Sequence, residues 1–280
     1  MEIHDEIEDK NERMKANNPL NTSWRKTAST IYKKPVDSKI FGSVEIDITD
    51  LEKYINVKRK SGMKITLTHF FLLATARAIK EQVPELNTYV KRGNIYSHQQ
   101  IDATVSVLLK NGEMGSVKMQ NVDKMTLKES AIQMKEEIKK SYQGDENATM
   151  QMKEKLASIP WPVRGWVYQV IKYLTTNMGI SIPSLGLSAN NFGSFILSNI
   201  GSIGLDIGYP ALMPSANISF VLILGGINKK PWVVNNEIVP RTILTLGAAL
   251  DHRVIDASHG GKLFRYLKKM VNNPALLEKV

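Results

Sequence analysis

The chain has 280 residues, of which 42% are hydrophobic and 23% are charged, as is ordinary for a soluble globular protein. It contains no Cys, which excludes disulfides, Cys-ligated metal sites and a Cys nucleophile, and which fits a reducing compartment. The formal net charge of +10 makes polyanions candidate partners, but the basic residues are scattered and no nucleic-acid motif is present, so we expect no binding to nucleic acid.

Residues 1–22 are polar and charged, and we predict that they form an arm in front of one domain at 23–280. No signal peptide is expected, because Met1–Lys10 is acidic and polar. The longest apolar run, Ile218–Ile227, is too short to span a membrane and suits a buried strand. We therefore expect a cytoplasmic protein.

The next part of the chain shows strand and helix patterns in turn. Strand-forming runs are predicted at Ile40–Ile48, Tyr89–Tyr96, Ile101–Leu109 and Gly115–Val122, the last reached through a turn at Asn111–Gly112. Caps and helical spacing predict helices at Leu51–Lys60, His69–Gln82 and Thr126–Lys140. The second helix is apolar over most of its surface, so we expect it to be buried, with His69 structural rather than catalytic.

The stretch at 141–191 holds two of the four Trp residues and an amphipathic helix at 162–178. Its apolar residues lie mostly three and four apart: Val163, Trp166, Val167, Val170, Ile171, Leu174 and Met178. We interpret this helix as one that packs on the domain surface or on a partner subunit. A lid and a contact with a membrane surface are the alternatives, although only Arg164 and Lys172 lie on its polar face.

The C-terminal third alternates short apolar runs with turns. Strands are predicted at Ile218–Gly226 and Ile243–Leu250, and Pro231–Val234 with Ile238–Val239 predicts a hairpin over Asn235–Asn236. A helix is predicted at Gly261–Val271.

His252 therefore stands where a strand gives way to a helix. Imidazole titrates near neutral pH, and a firm scaffold can aim it at a substrate proton. Asp256, four residues later, can fix its geometry through a charge-assisted hydrogen bond. The alternative is an ordinary surface or capping histidine, and the pattern alone leaves both open.

Two segments resemble one family. The hexapeptide at 251–256, Asp-His-Arg-Val-Ile-Asp, resembles the His-containing signature of the catalytic domain of dihydrolipoyl acyltransferases of 2-oxo acid dehydrogenase complexes. These domains are relatives of chloramphenicol acetyltransferase. The family signature continues with Gly, where this chain has Ala257. Gly193–Gly201 is similar to the family's Gly-Thr-Phe-Thr-Ile-Ser-Asn-Leu-Gly and puts Ser198 on its transition-state serine. The resemblance runs over Trp24–Val280, with 141–191 as an insertion.

The resemblance implies an α+β fold, a two-layer mixed sheet with helices of the chloramphenicol acetyltransferase type. It also implies a coenzyme A-dependent acyltransferase, with acyl-coenzyme A as a substrate and a thiol, hydroxyl or amine acceptor. His252 would be the general base, Ser198 would stabilise the oxyanion, and Asp256 would brace the base. Arg253 would hold the loop, and Arg25 could pair with Asp256. No metal and no covalently attached lipoyl group is expected.

The family further implies a homotrimer with its active site between subunits, and a lipoyl domain that could serve the chain in trans. Two alternatives stay open. One is a non-catalytic structural or scaffolding relative of the acyltransferase core. The other is a membrane-peripheral lipid acyltransferase that touches the membrane through 162–178.

Overall fold

The computed structural model describes residues 38–108, 114–142, 158–160, 162–182, 187 and 190–278. The predicted arm at 1–22, Arg25 and the predicted turn Asn111–Gly112 lie outside these residues, so the proposed domain boundary stays a prediction. The described residues from Lys39 onward belong to one compact unit.

A six-stranded mixed sheet forms the centre of the fold, in the order β1-β8-β7-β6-β4-β5. Strand β6 runs parallel to β4 and β7, and the other neighbours are antiparallel. A separate two-stranded hairpin is made by β2 and β3. The strands are β1 (Lys39–Asp47), β2 (Thr88–Lys91), β3 (Asn94–Ser97), β4 (Ala103–Leu108), β5 (Met114–Met119), β6 (Phe195–Asn199), β7 (Phe220–Val234) and β8 (Glu237–Asp251).

Five α-helices lie in the described parts of the chain: α1 (Thr49–Lys60), α2 (Leu67–Glu81), α3 (Leu127–Tyr142), α4 (Val163–Lys172) and α5 (Ala257–Asn272). Capping boxes begin two of them, with Thr66 ahead of α2 and Thr126 ahead of α3. The Thr126 hydroxyl accepts the Glu129 N–H at 3.2 Å ahead of α3, while Glu129 accepts the Thr126 N–H at 2.8 Å. Helix α1 begins at Thr49, earlier than expected, and the Asp47 carboxylate accepts the free N–H of this first residue at 3.0 Å.

One face of the sheet carries the main core. Helices α1, α2, α3 and α5 pack there, and every residue of α2 from His69 to Ile79 is buried, as predicted. Alternation along β7 sends Leu222 to this helical face and Ile223 to the opposite face. The two layers confirm the predicted α+β fold.

The opposite face of the sheet is covered by the chain that follows β6. This segment runs close to bare glycines of β7 and β8, since a Cβ on Gly225 would overlap the backbone oxygen of Asp206, and one on Gly247 would overlap that of Gly208. The Gly226 N–H donates to the Asp206 carbonyl at 3.0 Å. Side chains at these glycines would push the segment away from the sheet.

Two strand predictions need correction. Tyr89–Tyr96 is not one strand but the hairpin of β2 and β3, which turns at Arg92 and Gly93 with φ of 50° and 74°. The predicted C-terminal pieces are two long strands, because β7 and β8 continue through Pro231 and Pro240, which face each other across the pair. This part of the hairpin projects beyond β1 and β6, so its outer edges are unpaired and neither ring removes a ladder bond.

His69 has the structural role expected of it. Its Nδ1 atom accepts the Thr66 N–H at 3.1 Å at the start of α2, and only 8% of the residue is exposed. Burial lowers the pKa of His69 to about 4. The neutral ring is therefore the form that the folded protein holds.

Replacing His69 by Gln should make the protein less sensitive to acid. Because the pKa of His69 is depressed in the fold, the unfolded chain binds the extra proton first, so stability is complete above pH 6.5 and falls as the pH drops toward 4. The loss is on the order of 2 kcal/mol near pH 5. A Gln side chain can accept the same Thr66 N–H and so preserves the cap, but it does not titrate. Urea unfolding at neutral and acidic pH would measure this, and an unchanged pH dependence in His69→Gln would contradict it.

Candidate active site

The turn between β8 and α5 is fixed by Asp251. Its backbone N–H donates to the Ser219 carbonyl at 2.8 Å, next to the start of β7. Its carboxylate is 6% exposed and accepts Arg253 Nε at 3.0 Å and Nη2 at 2.6 Å. These bonds raise the pKa of the Arg253 guanidinium. This paired hydrogen bond joins the residues before and after His252 and so holds the turn in place.

His252 presents one ring nitrogen to the outside. Nδ1 lies 2.8 Å from the Ile255 carbonyl and 3.3 Å from Oδ1 of Asp256, and half of the ring is exposed. A carbonyl can only accept, so in the neutral ring Nδ1 carries the proton and Nε2 carries the free lone pair. This is the tautomer that a general base needs.

Asp256 serves the turn as well as the ring. It is the N-cap of α5, and its own N–H donates to Nδ1 of His259 at 3.0 Å. The helix therefore begins at Ala257, ahead of the predicted start at Gly261. Ala257 has no positive φ, so the backbone there does not require the family's glycine.

Ser198 lies in β6 on the face opposite the helices, on the same side as Ile196. It is 9% exposed, and its hydroxyl forms no hydrogen bond with another described residue. The strand ends at the following residue, Asn199, whose Oδ1 accepts the Ser202 N–H at 3.2 Å. A fixed backbone thus carries a hydroxyl that is free to donate.

The fold does not bring His252 and Ser198 together within one chain. Leu250 of β8 pairs with Phe220 of β7, which pairs with Phe195 of β6. Ser198 is three residues beyond this level in one direction, and His252 is two residues beyond it in the other. Five residues along the strands and two strands across put the Cα atoms of His252 and Ser198 about 19 Å apart. Two groups that act on one reacting carbonyl must lie far closer than this.

Sequence reasoning missed two groups that fix the His252 turn and ring. Asp251 anchors the turn from a buried position, and the Ile255 carbonyl is a closer partner of the ring than Asp256 is. The Asp-His-Arg order was a signal for the first. No signal exists for the second, because every residue has a carbonyl.

No group of three or more His, Asp or Glu side chains in the described ranges could hold a metal ion. Across the same ranges, no helix has the length and apolarity needed to cross a membrane.

A family model for the 2-oxoacid dehydrogenases acyltransferase catalytic domain matches residues 5–158 and 184–278. The match includes His252, Ser198 and all the described strands. It omits 159–183, the range that contains α4. This unmatched range lies within the insertion predicted at 141–191.

Curated relatives agree with this match. The chain is 42% identical over 86 residues to the dihydrolipoyllysine-residue acetyltransferase component of the pyruvate dehydrogenase complex of Acholeplasma laidlawii, which covers 30% of this chain and 15% of that protein. It is 24% identical over 257 residues to the component of the same name from Rickettsia felis, covering 88% of this chain and 52% of that protein. The chain spans about half the length of such relatives, or less.

Solved structures share the fold. A probable dihydrolipoamide acetyltransferase from Listeria monocytogenes superposes with a TM-score of 0.62 at 20% identity, covering 90% of this chain and 92% of that one. The cubic core of a pyruvate dehydrogenase multienzyme complex gives a TM-score of 0.63 at 18% identity, covering 86% and 84%.

Proposed function

The chain belongs to the 2-oxoacid dehydrogenase acyltransferase family by its catalytic domain, and we propose that it transfers an acyl group directly from acyl-coenzyme A to a thiol, hydroxyl or amine. The observation that carries this proposal is the state of His252. Its Nδ1 is occupied by Ile255 and Asp256, and its Nε2 is left as a base on an exposed turn.

His252 handles the proton in each step. Nε2 removes the proton from the acceptor while the acceptor attacks the thioester carbonyl, and the imidazolium that forms is stabilised by the Ile255 carbonyl and the Asp256 carboxylate. The tetrahedral intermediate then collapses, the carbon–sulfur bond breaks, and the coenzyme A thiolate recovers the proton from the ring. No covalent enzyme intermediate is needed.

Ser198 stabilises the charge that develops on the thioester oxygen. Its hydroxyl has no competing partner among the described residues, so it can donate to the oxyanion of the intermediate. One donor that is placed in this way supplies about 3 kcal/mol of transition-state stabilisation. Because the residue is nearly buried, little water competes for that hydrogen bond.

The active site forms between copies of the chain. Because strand geometry puts His252 and Ser198 about 19 Å apart within one chain, we infer that His252 of one copy acts with Ser198 of another. A homotrimer closes three such contacts by one rotation and gives three equivalent sites. Each copy then contributes to two sites, the base to one and the oxyanion donor to the other.

Substrates and partners follow from the same proposal. Acyl-coenzyme A is the acyl donor, and the excess of basic over acidic residues in the chain favours binding of its phosphates. The acceptor would be free or would be a lipoyl group carried by another protein in trans. The enzyme would work in the cytoplasm without a metal.

Release of thiol from acyl-coenzyme A tests the function directly. We expect release from at least one donor in a panel of chain lengths, and dihydrolipoamide should accelerate it if a lipoyl group is the acceptor. A folded protein that releases no thiol with any donor, and with any thiol, hydroxyl or amine acceptor supplied, would instead favour the non-catalytic scaffold.

A further inference from the structure

The segment that the family model leaves out presents an apolar stripe to the outside. We call Val163–Asn177, which comprises α4 and the π-helical turn after it, the insertion helix. None of the residues of α4 is buried. Four side chains spaced three and four apart form the exposed stripe: Val163 (50% exposed), Trp166 (69%), Val170 (37%) and Tyr173 (57%).

The insertion helix is held firmly from its other side. Thr175 and Thr176 are buried, and the Asn177 carbonyl accepts the Arg92 N–H at 2.8 Å. Nε of Arg92 also donates to the Met178 carbonyl at 3.2 Å. The turn of the β2–β3 hairpin is therefore bonded to the helix end. The apolar stripe therefore lies on the outer side of a helix whose C-terminal end is bonded to the rest of the protein.

The segment that carries the stripe and the hairpin that supports it have basic residues but no acidic ones. From Lys155 to Leu205 the sequence contains no Asp or Glu, while Arg164 and Lys172 lie within the helix. The supporting hairpin, Thr88–Ser97, likewise has no acidic residue and adds Lys91 and Arg92. It also exposes Ile95 and Tyr96, at 54% and 40%.

We propose that the insertion helix lies in the headgroup region of an anionic lipid bilayer, with Trp166 and Tyr173 entering the interface. Amphipathic aromatic rings favour that level of a membrane, an apolar helix face gains by leaving water there, and Lys and Arg are attracted to anionic lipid. No described helix can cross a membrane, so the contact is peripheral. This inference goes beyond the acyl transfer proposed above.

A second copy of the chain fits this surface less well. In a two-fold contact each patch meets itself, so Lys172 and Arg92 would face their own copies, and neither segment adds an acidic residue. An anionic bilayer carries charge of the opposite sign.

Vesicle flotation with the full chain tests the proposal. We expect the wild type to float with vesicles that contain phosphatidylglycerol and to bind phosphatidylcholine vesicles much less. Trp166→Glu should weaken binding by about tenfold or more, since it removes an interfacial anchor and adds repulsion. Ile238→Glu is the matched control, because Ile238 is an exposed apolar residue of the β7–β8 hairpin, at 76%, and should leave binding unchanged.

Three outcomes would overturn the proposal. The wild type could fail to float with either vesicle, or the two Glu variants could weaken binding equally. Thirdly, Trp166→Glu could change the oligomeric state in sedimentation without any flotation of the wild type, which would assign the stripe to a second copy. Circular dichroism of both variants guards against misfolding, and the readout does not require turnover.

Discussion

Replacing His252 by Ala is expected to lower kcat by about 10³-fold while the protein stays folded. The ring is the only group of the β8–α5 turn that combines an exposed nitrogen with a braced partner nitrogen, at 2.8 Å from the Ile255 carbonyl. Without it, neither the acceptor proton nor the thiolate proton has a carrier. Thiol release at saturating acyl-coenzyme A measures the effect, with a thermal unfolding curve as the check on folding.

His259→Gln provides the matched control. His259 lies in the first turn of α5, and its Nδ1 accepts the Asp256 N–H at 3.0 Å. Gln can accept the same N–H, so this variant keeps the cap and changes a neighbouring histidine. Its kcat should stay close to that of the wild type. Full activity in a folded His252→Ala protein would contradict the assignment of the base.

Ser198→Ala should lower kcat by about a hundredfold, less than the loss of the base. The hydroxyl makes no hydrogen bond in the described part of the free chain, so its removal leaves no buried partner unsatisfied. Stability should therefore change little, and KM should change less than kcat, since the bond forms chiefly in the transition state. Steady-state kinetics separate the two parameters.

Ser43→Ala is a suitable control for this variant, because Ser43 is also a strand serine but lies on β1. Among the described residues its hydroxyl hydrogen-bonds only with the Tyr209 hydroxyl, at 3.3 Å. It should leave kcat unchanged. A hundredfold rise in KM for Ser198→Ala with kcat intact would show that the serine binds the substrate and does not stabilise the oxyanion.

Much of the fold could be predicted from local patterns. Helix α2 and strand β1 have strong periodicity, and their bounds agree with the prediction to within two residues. The errors arose where tertiary structure overrides local chemistry. Pro231 and Pro240 look like strand breakers, but an unpaired hairpin edge tolerates them. The turn at Arg92 was hidden because a positive φ at an arginine has no sequence signal.

The candidate site likewise combines features that local sequence predicts with features that only the tertiary structure sets. The types and order of its residues are local, so His252, Ser198 and Asp256 could be selected from two short motifs. Their arrangement in space is not local. It depends on the register of β6, β7 and β8, which pair residues far apart in sequence, and only that register shows that base and serine are about 19 Å apart.

Mixing the two inactive variants tests the shared site most directly. His252→Ala and Ser198→Ala chains, co-expressed with different tags and purified by both, should form mixed trimers. In any mixed trimer, one of the three sites receives His252 from one variant and Ser198 from the other, so activity should recover to about one third of wild type. Mixed oligomers that are no more active than either parent would contradict a site built between copies.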